Sequence, residues 1–119
     1  MTLTPTPLAD CCVIEPTPFQ DERGWFCRVF CKEAFQTVAP DLEWVQINHS
    51  FTRARGALRG LHFQRPPHAE AKLVRCVAGA VWDTVVDLRR ESPTFLHAFA
   101  VELSAANRKM LYIPPRFAH

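Results

Sequence analysis

The chain has 119 residues, of which 48% are hydrophobic and 22% are charged, and this balance excludes a disordered or fibrous protein. Its net charge of +2 is too small to predict nucleic-acid binding by bulk electrostatics. No apolar run approaches the length of a membrane span, and the start MTLTPTPLADCC lacks the pattern of a signal peptide. We therefore expect one globular domain in the cytoplasm, with no nucleic-acid or membrane partner.

Short segments rich in β-branched and aromatic residues, separated by Pro, Gly, Asn or Asp, predict an all-β sandwich or barrel. In chain order the predicted strands are 12–15, 25–30, 44–50, 57–63, 71–77, 80–88, 97–103 and 109–113. One helix is predicted over 31–38, where Lys, Glu, Ala and Gln favour a helix and the following Ala-Pro ends it.

The connecting segments carry their own predictions. The residues up to Asp10 are expected to form a frayed arm, with the alternative that the arm crosses to a partner subunit. The segment 104–108 is predicted to be a tight turn in which Asn107 tolerates left-handed geometry. The segment 89–95 is predicted to be a turn that leaves Arg89 in solvent. The five cysteines are an odd number at spacings that match no disulfide framework or zinc pair, so we expect reduced thiols.

One stretch, from Gly56 to Asp83, concentrates residues that can carry chemistry: Arg59, His62, His68, Glu70 and Lys72. Histidines and arginines near turns are usually solvated, but their density here favours a functional site. Strand alternation places Gly60 and His62 on one face, and a glycine there leaves room for another backbone or a ligand.

Two chemistries fit this stretch. His62, His68, Glu70 and His119 are all types that bind divalent cations, but Gln64 stands where a second metal-binding His is expected, and the charge of Lys72 repels a cation. The alternative is proton abstraction, with a neutral His as the base and cations to stabilise the negative charge that develops. The residues favour proton abstraction over a metal site and do not name a substrate.

Three long motifs carry a family resemblance: QDERGWFCRVF, the segment 44–95 around LRGLH, and VELSAANRKMLYIPPRFAH. They resemble the dTDP-4-dehydrorhamnose 3,5-epimerase family in that family's order, from Val13 to His119. The resemblance implies a cupin-type jelly roll that is a homodimer and uses no metal or other cofactor. It implies a single epimerase domain over 1–119 that is incomplete at its C-terminus.

The resemblance also implies a substrate, a dTDP-linked 4-keto-6-deoxyhexose, and a role for each matching residue. His62 resembles the base that removes the protons at C3 and C5, and Lys72 the residue that stabilises the enolate oxygen O4. Arg23 and Arg59 match positions that contact the diphosphate. The remaining matches line the nucleotide or sugar pocket: Phe19, Gln46, Asn48 and His119. For Gln46 and Asn48 the alternative is hydrogen bonding within the sheet.

Asp83 is singled out by its own chemistry. It lies on a predicted strand, where an inward carboxylate needs a partner, and we expect it to hydrogen-bond a cation of the pocket.

The chain departs from the family pattern at two points. Arg116 occupies a position where the family carries Gly, so a positive φ there predicts strain and a displaced His119. The family continues past its counterpart of His119 with strands that supply a catalytic Tyr and an Asp paired with the catalytic His. Without them we expect weaker activity and an uncovered sheet edge.

The expected function is epimerisation at C3 and C5 of dTDP-4-dehydro-6-deoxy-D-glucose. Two alternatives stay open: an epimerase that acts only at C3 or only at C5, and a non-catalytic fragment that binds a nucleotide sugar.

Overall fold

The fold consists of nine strands and one short helix. The computed structural model describes all residues from Met1 to His119. In chain order the elements are β1 Thr2–Pro5, β2 Cys12–Glu15, β3 Phe19–Asp21, β4 Gly24–Phe26, α1 Lys32–Phe35, β5 Lys72–Arg75, β6 Ala80–Asp87, β7 Ala98–Ser104, β8 Met110–Ile113 and β9 Phe117–Ala118. The predicted all-β class with one short helix is confirmed.

These strands form two sheets and a separate hairpin. The four-stranded sheet has the order β1-β2-β8-β5, and the three-stranded sheet has the order β7-β6-β9. Every pairing is antiparallel, and the longest runs from Ala80 opposite Ser104 to Val86 opposite Ala98. Strands β3 and β4 pair only with each other.

Alternation along β2 and β8 explains why these two central strands are buried on both faces of the four-stranded sheet. Side chains on a strand point alternately to opposite sides. Val13 and Leu111 therefore join the core between the two sheets, whereas Ile14 and Met110 face the opposite side. The first core contains Leu8, Cys11, Val13, Val85, Leu103, Leu111, Ile113 and Phe117. The second contains Cys12, Ile14, Phe35, Met110 and Tyr112.

The helix α1 covers the second core. It is shorter than the predicted 31–38, and its buried residue is Phe35. The Phe35 ring packs edge-on against Trp44 at a centroid distance of 5.8 Å, and Trp44 packs against Tyr112 at 6.4 Å. The helix is held by these aromatic contacts, since four residues are too few for a helix that is stable alone.

Two predicted strands are wrong. The segments 44–50 and 57–63 have strand-like composition but form no strand. Val45, Ile47 and Leu58 are largely exposed there. A strand needs a backbone partner as well as suitable side chains, and β-propensity alone does not supply one. The predicted strand 25–30 is also too long, because β4 ends at Phe26.

The N-terminal arm is ordered, so the expectation of fraying is wrong. β1 pairs with β2 along its whole length, and Leu8 is only 1% exposed in the first core. The Thr6 hydroxyl donates a hydrogen bond to the Cys11 carbonyl at 2.9 Å. This bond closes the loop between the two strands.

The tight turn at 104–108 is confirmed, with one difference. Ser104 Oγ accepts a hydrogen bond from the Asn107 N–H at 3.0 Å, and Asn107 Oδ1 accepts one from the Ser104 N–H at 3.0 Å. The positive φ of 57° falls on Arg108 and not on Asn107. All five cysteines are free, as predicted.

A buried ion pair fixes the end of β6, so the prediction that Arg89 lies in solvent is wrong. Asp87 has 0% exposure, and its Oδ2 lies 2.8 Å from Arg89 Nη2. Arg89 also pairs with Asp10 at 2.7 Å and lies 4.8 Å from the centre of the Phe117 ring. Burial would raise the pKa of Asp87, but hydrogen bonds from Arg89, Ser92 and Thr94 outweigh it and hold that pKa well below its usual range. The pair thereby joins β6, the N-terminal arm and β9.

Candidate active site

A backbone bridge brings His62 and His119 together. The His62 N–H donates to the His119 carbonyl at 2.7 Å, and the His119 N–H donates to the His62 carbonyl at 2.9 Å. Gly60 makes this approach possible. A Cβ at Gly60, whose φ is +93°, would lie 3.0 Å from the His119 oxygen and 3.3 Å from His62 Nδ1. The expected room beside His62 is therefore used by the backbone of His119.

Strand β9 delivers His119 to this position. Ala118 pairs with Val86 and Phe117 with Asp87 on β6, and the Leu88 N–H donates to the Arg116 carbonyl at 3.1 Å. These bonds continue the three-stranded sheet up to the residue before His119. The position of His119 therefore depends on the end of β6.

Arg116 has a positive φ of 68°, which is the condition under which strain was expected at this position. Its guanidinium pairs with both carboxylate oxygens of Glu91, and this pairing lowers the pKa of Glu91. His119 is nevertheless bridged to His62, so Arg116 does not separate the two histidines.

Asp83 supplies the side-chain partner of His119. Residues Asp83, Val85 and Asp87 alternate along β6 and are all buried, so they share the inward face. Asp83 Oδ1 lies 2.6 Å from His119 Nε2. The second carboxylate oxygen, Oδ2, is buried without a hydrogen-bond partner. The partner expected for Asp83 was a pocket cation, and the structure places an imidazole there.

The predicted electrostatic residue Lys72 begins β5 and is partly buried. Its ammonium lies 3.8 Å from Glu70 Oε1. About a third of each side chain is exposed to solvent, so solvent screens the ion pair. The Lys72 ammonium can therefore exchange Glu70 for another partner.

Three predicted binding residues lie between α1 and β5, on a segment that contains no helix or strand and is called here the segment without regular structure. Gln46 and Asn48 are exposed and make no cross-strand hydrogen bond, since 44–50 forms no strand. Arg59 is exposed, and its Nη2 donates to the Phe51 carbonyl at 3.0 Å. None of the three side chains is bonded to His62, Asp83 or His119.

The remaining two predicted residues, Phe19 and Arg23, lie on the β3–β4 hairpin. Arg23 is 90% exposed and pairs with Asp21 at 2.5 Å, which lowers the pKa of Asp21. An open cleft of about 460 Å³ lies along the hairpin and includes Phe19 and Arg23. The hairpin residues alone form this cleft, so it is separate from the histidine pair.

The structure thus joins three of the nine predicted site residues directly: His62, Asp83 and His119. The pairing of Asp83 with His119 was missed. The available signal was the inward position of Asp83 on a predicted strand, which required a partner but did not identify it. No group of three or more His, Cys, Asp or Glu side chains is arranged to hold a metal ion. No helix is long and apolar enough to cross a membrane.

Comparison with known proteins decides the family. The family model described as dTDP-4-dehydrorhamnose 3,5-epimerase matches residues 5–119. The chain belongs to this family. It is 47% identical to the dTDP-4-dehydrorhamnose 3,5-epimerase of Shigella flexneri over 100% of this chain and 66% of that protein. The predicted membership is confirmed.

Two solved structures show the same fold. The dTDP-4-dehydrorhamnose 3,5-epimerase of Elizabethkingia anophelis is 48% identical, with a TM-score of 0.94 over 100% of this chain and 65% of that one. The dTDP-6-deoxy-D-glucose-3,5-epimerase of Legionella pneumophila, solved with dTDP-4-keto-L-rhamnose, is 37% identical. Its TM-score is 0.90 over 99% of this chain and 62% of that one. The cupin-type jelly roll is therefore confirmed, and the chain spans about two thirds of the length of these relatives.

Proposed function

We propose that the protein epimerises dTDP-4-dehydro-6-deoxy-D-glucose at C3 and C5 to give dTDP-4-dehydro-L-rhamnose. The proposal depends on one observation in a member of this epimerase family. Two backbone hydrogen bonds hold His62 next to His119, although the two residues are far apart in sequence. The 4-keto group makes the chemistry accessible, because loss of a proton from C3 or C5 gives an enolate delocalised onto O4.

His62 is the proposed base. Its imidazole is exposed, so a ligand can reach it, while its backbone is fixed by two hydrogen bonds to His119. An imidazole is a common general base in proteins. His62 takes the proton from one face of the sugar and passes it to solvent. The carbon is inverted when the enolate accepts a proton on the opposite face from a second donor, either water or an acid other than His62.

Lys72 is the proposed electrostatic residue. Negative charge develops on O4 as the proton leaves, and an ammonium near O4 stabilises the transition state more than the ground state. The ion pair with Glu70 is weak enough to be exchanged for this contact.

The exposed cations are proposed to bind the diphosphate. Arg23 and Arg59 present guanidinium groups whose fork geometry suits phosphate oxygens. Each now has one protein partner, Asp21 or the Phe51 carbonyl, that a ligand can displace. Phe19, Gln46 and Asn48 are the proposed contacts to the nucleotide or sugar, and their exposure leaves them accessible.

We further propose that the protein works as a homodimer, without a metal or cofactor. Several large apolar side chains are strongly exposed on the hairpin and on the segment without regular structure: Phe19, Phe26, Val45, Ile47, Phe51 and Leu58. Such a surface is characteristic of interaction sites. Contact across a dimer would bring hairpin residues near a second subunit's site. Location in the cytoplasm stays a prediction.

The test is product formation from dTDP-4-keto-6-deoxyglucose, followed by proton NMR of the sugar. The proposal predicts inversion at both carbons, and loss of turnover in His62→Ala and Lys72→Gln. His49→Ala is the matched control, because His49 is exposed and forms no side-chain hydrogen bond or ion pair in the structure. Inversion at one carbon would instead indicate a mono-epimerase. Binding of dTDP without inversion would indicate a nucleotide-sugar-binding protein.

A further inference from the structure

We propose that Asp83 is a positioning residue that fixes the imidazole of His119 in the site. This inference rests on the proposed function, because His119 lies beside the proposed base His62. Its structural basis is the 2.6 Å contact between Asp83 Oδ1 and His119 Nε2. It is the polar side-chain contact that the structure shows for His119.

The contact selects one arrangement of the His119 ring. A carboxylate oxygen can only accept, so at 2.6 Å from Asp83 Oδ1 the nitrogen Nε2 is the one placed to carry a proton. Nδ1 is then the nitrogen that remains for a ligand. It accepts a hydrogen bond when the ring is neutral and donates one when the ring is protonated. Rotation of the ring by half a turn would break the contact.

The burial of Asp83 indicates that it is retained for this contact. The residue is 6% exposed, and its Oδ2 has no partner at all. A buried carboxylate oxygen without a hydrogen bond is destabilising, whereas an apolar side chain beside Val85 would extend the first core. A role in stability alone therefore does not account for an acid at this position.

His119 is consequently held from two directions. Its backbone is bonded to His62, and its side chain is bonded to Asp83 on β6. This arrangement places a fixed imidazole next to the proposed base. Removal of Asp83 frees the ring of His119 without touching His62.

The test is a double-mutant cycle on the rate of proton exchange from dTDP-4-keto-6-deoxyglucose. Asp83→Ala and His119→Ala are each expected to lower kcat/KM by roughly 10- to 100-fold, as for other carboxylates that orient a functional imidazole. The double variant should be no slower than His119→Ala, because Asp83 acts through His119. Independent, multiplying losses would overturn the proposal.

A spectroscopic readout separates this proposal from the proposed function. The Nε2–H of His119 should give a downfield proton signal that is protected from solvent exchange. It should persist in His62→Ala and disappear in both Asp83→Ala and His119→Ala. Asp83→Asn, which keeps the size and one acceptor oxygen, should retain a weaker signal and an intermediate rate. It provides the comparison if Asp83→Ala does not fold.

If the unmodified chain shows no proton exchange, the proposed function fails, and the signal still decides whether Asp83 holds His119. A signal that survives in Asp83→Ala would overturn the positioning role. Unchanged kcat/KM in Asp83→Asn and Asp83→Ala would overturn it as well.

Discussion

Replacement of Asp87 by Asn should destabilise the protein by about 3 kcal/mol, because it removes the charge of a buried carboxylate and leaves Arg89 in place. The Asp87 carboxylate accepts hydrogen bonds from the Arg89 N–H and Nε on Oδ1. On Oδ2 it accepts from Arg89 Nη2 and from the hydroxyls of Ser92 and Thr94. Asn keeps one oxygen but turns an amide donor toward the guanidinium.

The size of the loss in stability depends on the hydrogen bonds that remain in the Asp87→Asn variant. The two hydroxyls can rotate and accept from the new amide, so the main loss is the charge-assisted bond to Arg89. Arg89 is 15% exposed and retains Asp10 at 2.7 Å and the Ala9 carbonyl at 2.8 Å. These contacts keep the loss at the lower end of the range for breaking a buried pair, about 3–5 kcal/mol.

Urea unfolding followed by tryptophan fluorescence measures this change. At an m-value of about 1–3 kcal/mol/M, the midpoint should fall by about 1 M or more. Asp41→Asn is the matched control, since Asp41 is exposed and forms no side-chain hydrogen bond or ion pair. A loss for Asp87→Asn below about 1 kcal/mol, or equal to that of the control, would refute the argument.

The same carboxylate predicts a pH dependence. The pKa of Asp87 is lower in the folded protein than in the unfolded chain, where it is about 3.9. Its contribution is therefore fully present above about pH 4 and is lost as the pH falls through the folded pKa. The difference between the parent chain and Asp87→Asn should be constant from pH 5 to 7 and should shrink in stronger acid.

Two further predictions concern the glycine at the histidine bridge and the thiols. Gly60→Ala should cost about 2 kcal/mol and weaken the bridge, because its Cβ would lie 3.0 Å from the His119 oxygen at a φ of +93°. Gly56→Ala, with open space around it, should cost less in the same unfolding assay. In native-state thiol labelling at pH 8, Cys31 should react faster than Cys11. Burial raises the pKa of Cys11 to about 12, whereas a backbone hydrogen bond from Ala34 lowers the pKa of Cys31. Equal labelling rates for the two thiols would contradict this.

Much of the sandwich was predictable because its strands carry a local signal. The predicted segments 12–15, 80–88 and 109–113 match β2, β6 and β8 within one or two residues. β2 and β8 are buried on both faces, and β6 buries alternate residues on one face, so composition and structure agree. By contrast, β9 has two residues and no periodic signal, and it forms because β6 offers a free edge.

The wrong and missed predictions concern tertiary contacts, which the order of residues in the sequence does not show. The segments 44–50 and 57–63 have strand composition without a strand partner, so propensity alone gave the wrong answer. Arg89 was expected in solvent because the sequence does not show that its neighbour Asp87 is buried or that Asp10 approaches it. The pairing of Asp83 with His119 has the same origin, since it depends on β9 joining β6.

The measurement that tests the central claim most directly is deuterium incorporation into dTDP-4-keto-6-deoxyglucose in heavy water, with this chain, His62→Ala and His49→Ala. It reports proton removal at each carbon, whether or not the configuration of that carbon is inverted. The account predicts incorporation at C3 and C5 with this chain and with His49→Ala, and none with His62→Ala. Incorporation that persists in His62→Ala would contradict the assignment of His62 as the base, and none with the unmodified folded chain would contradict the epimerase activity.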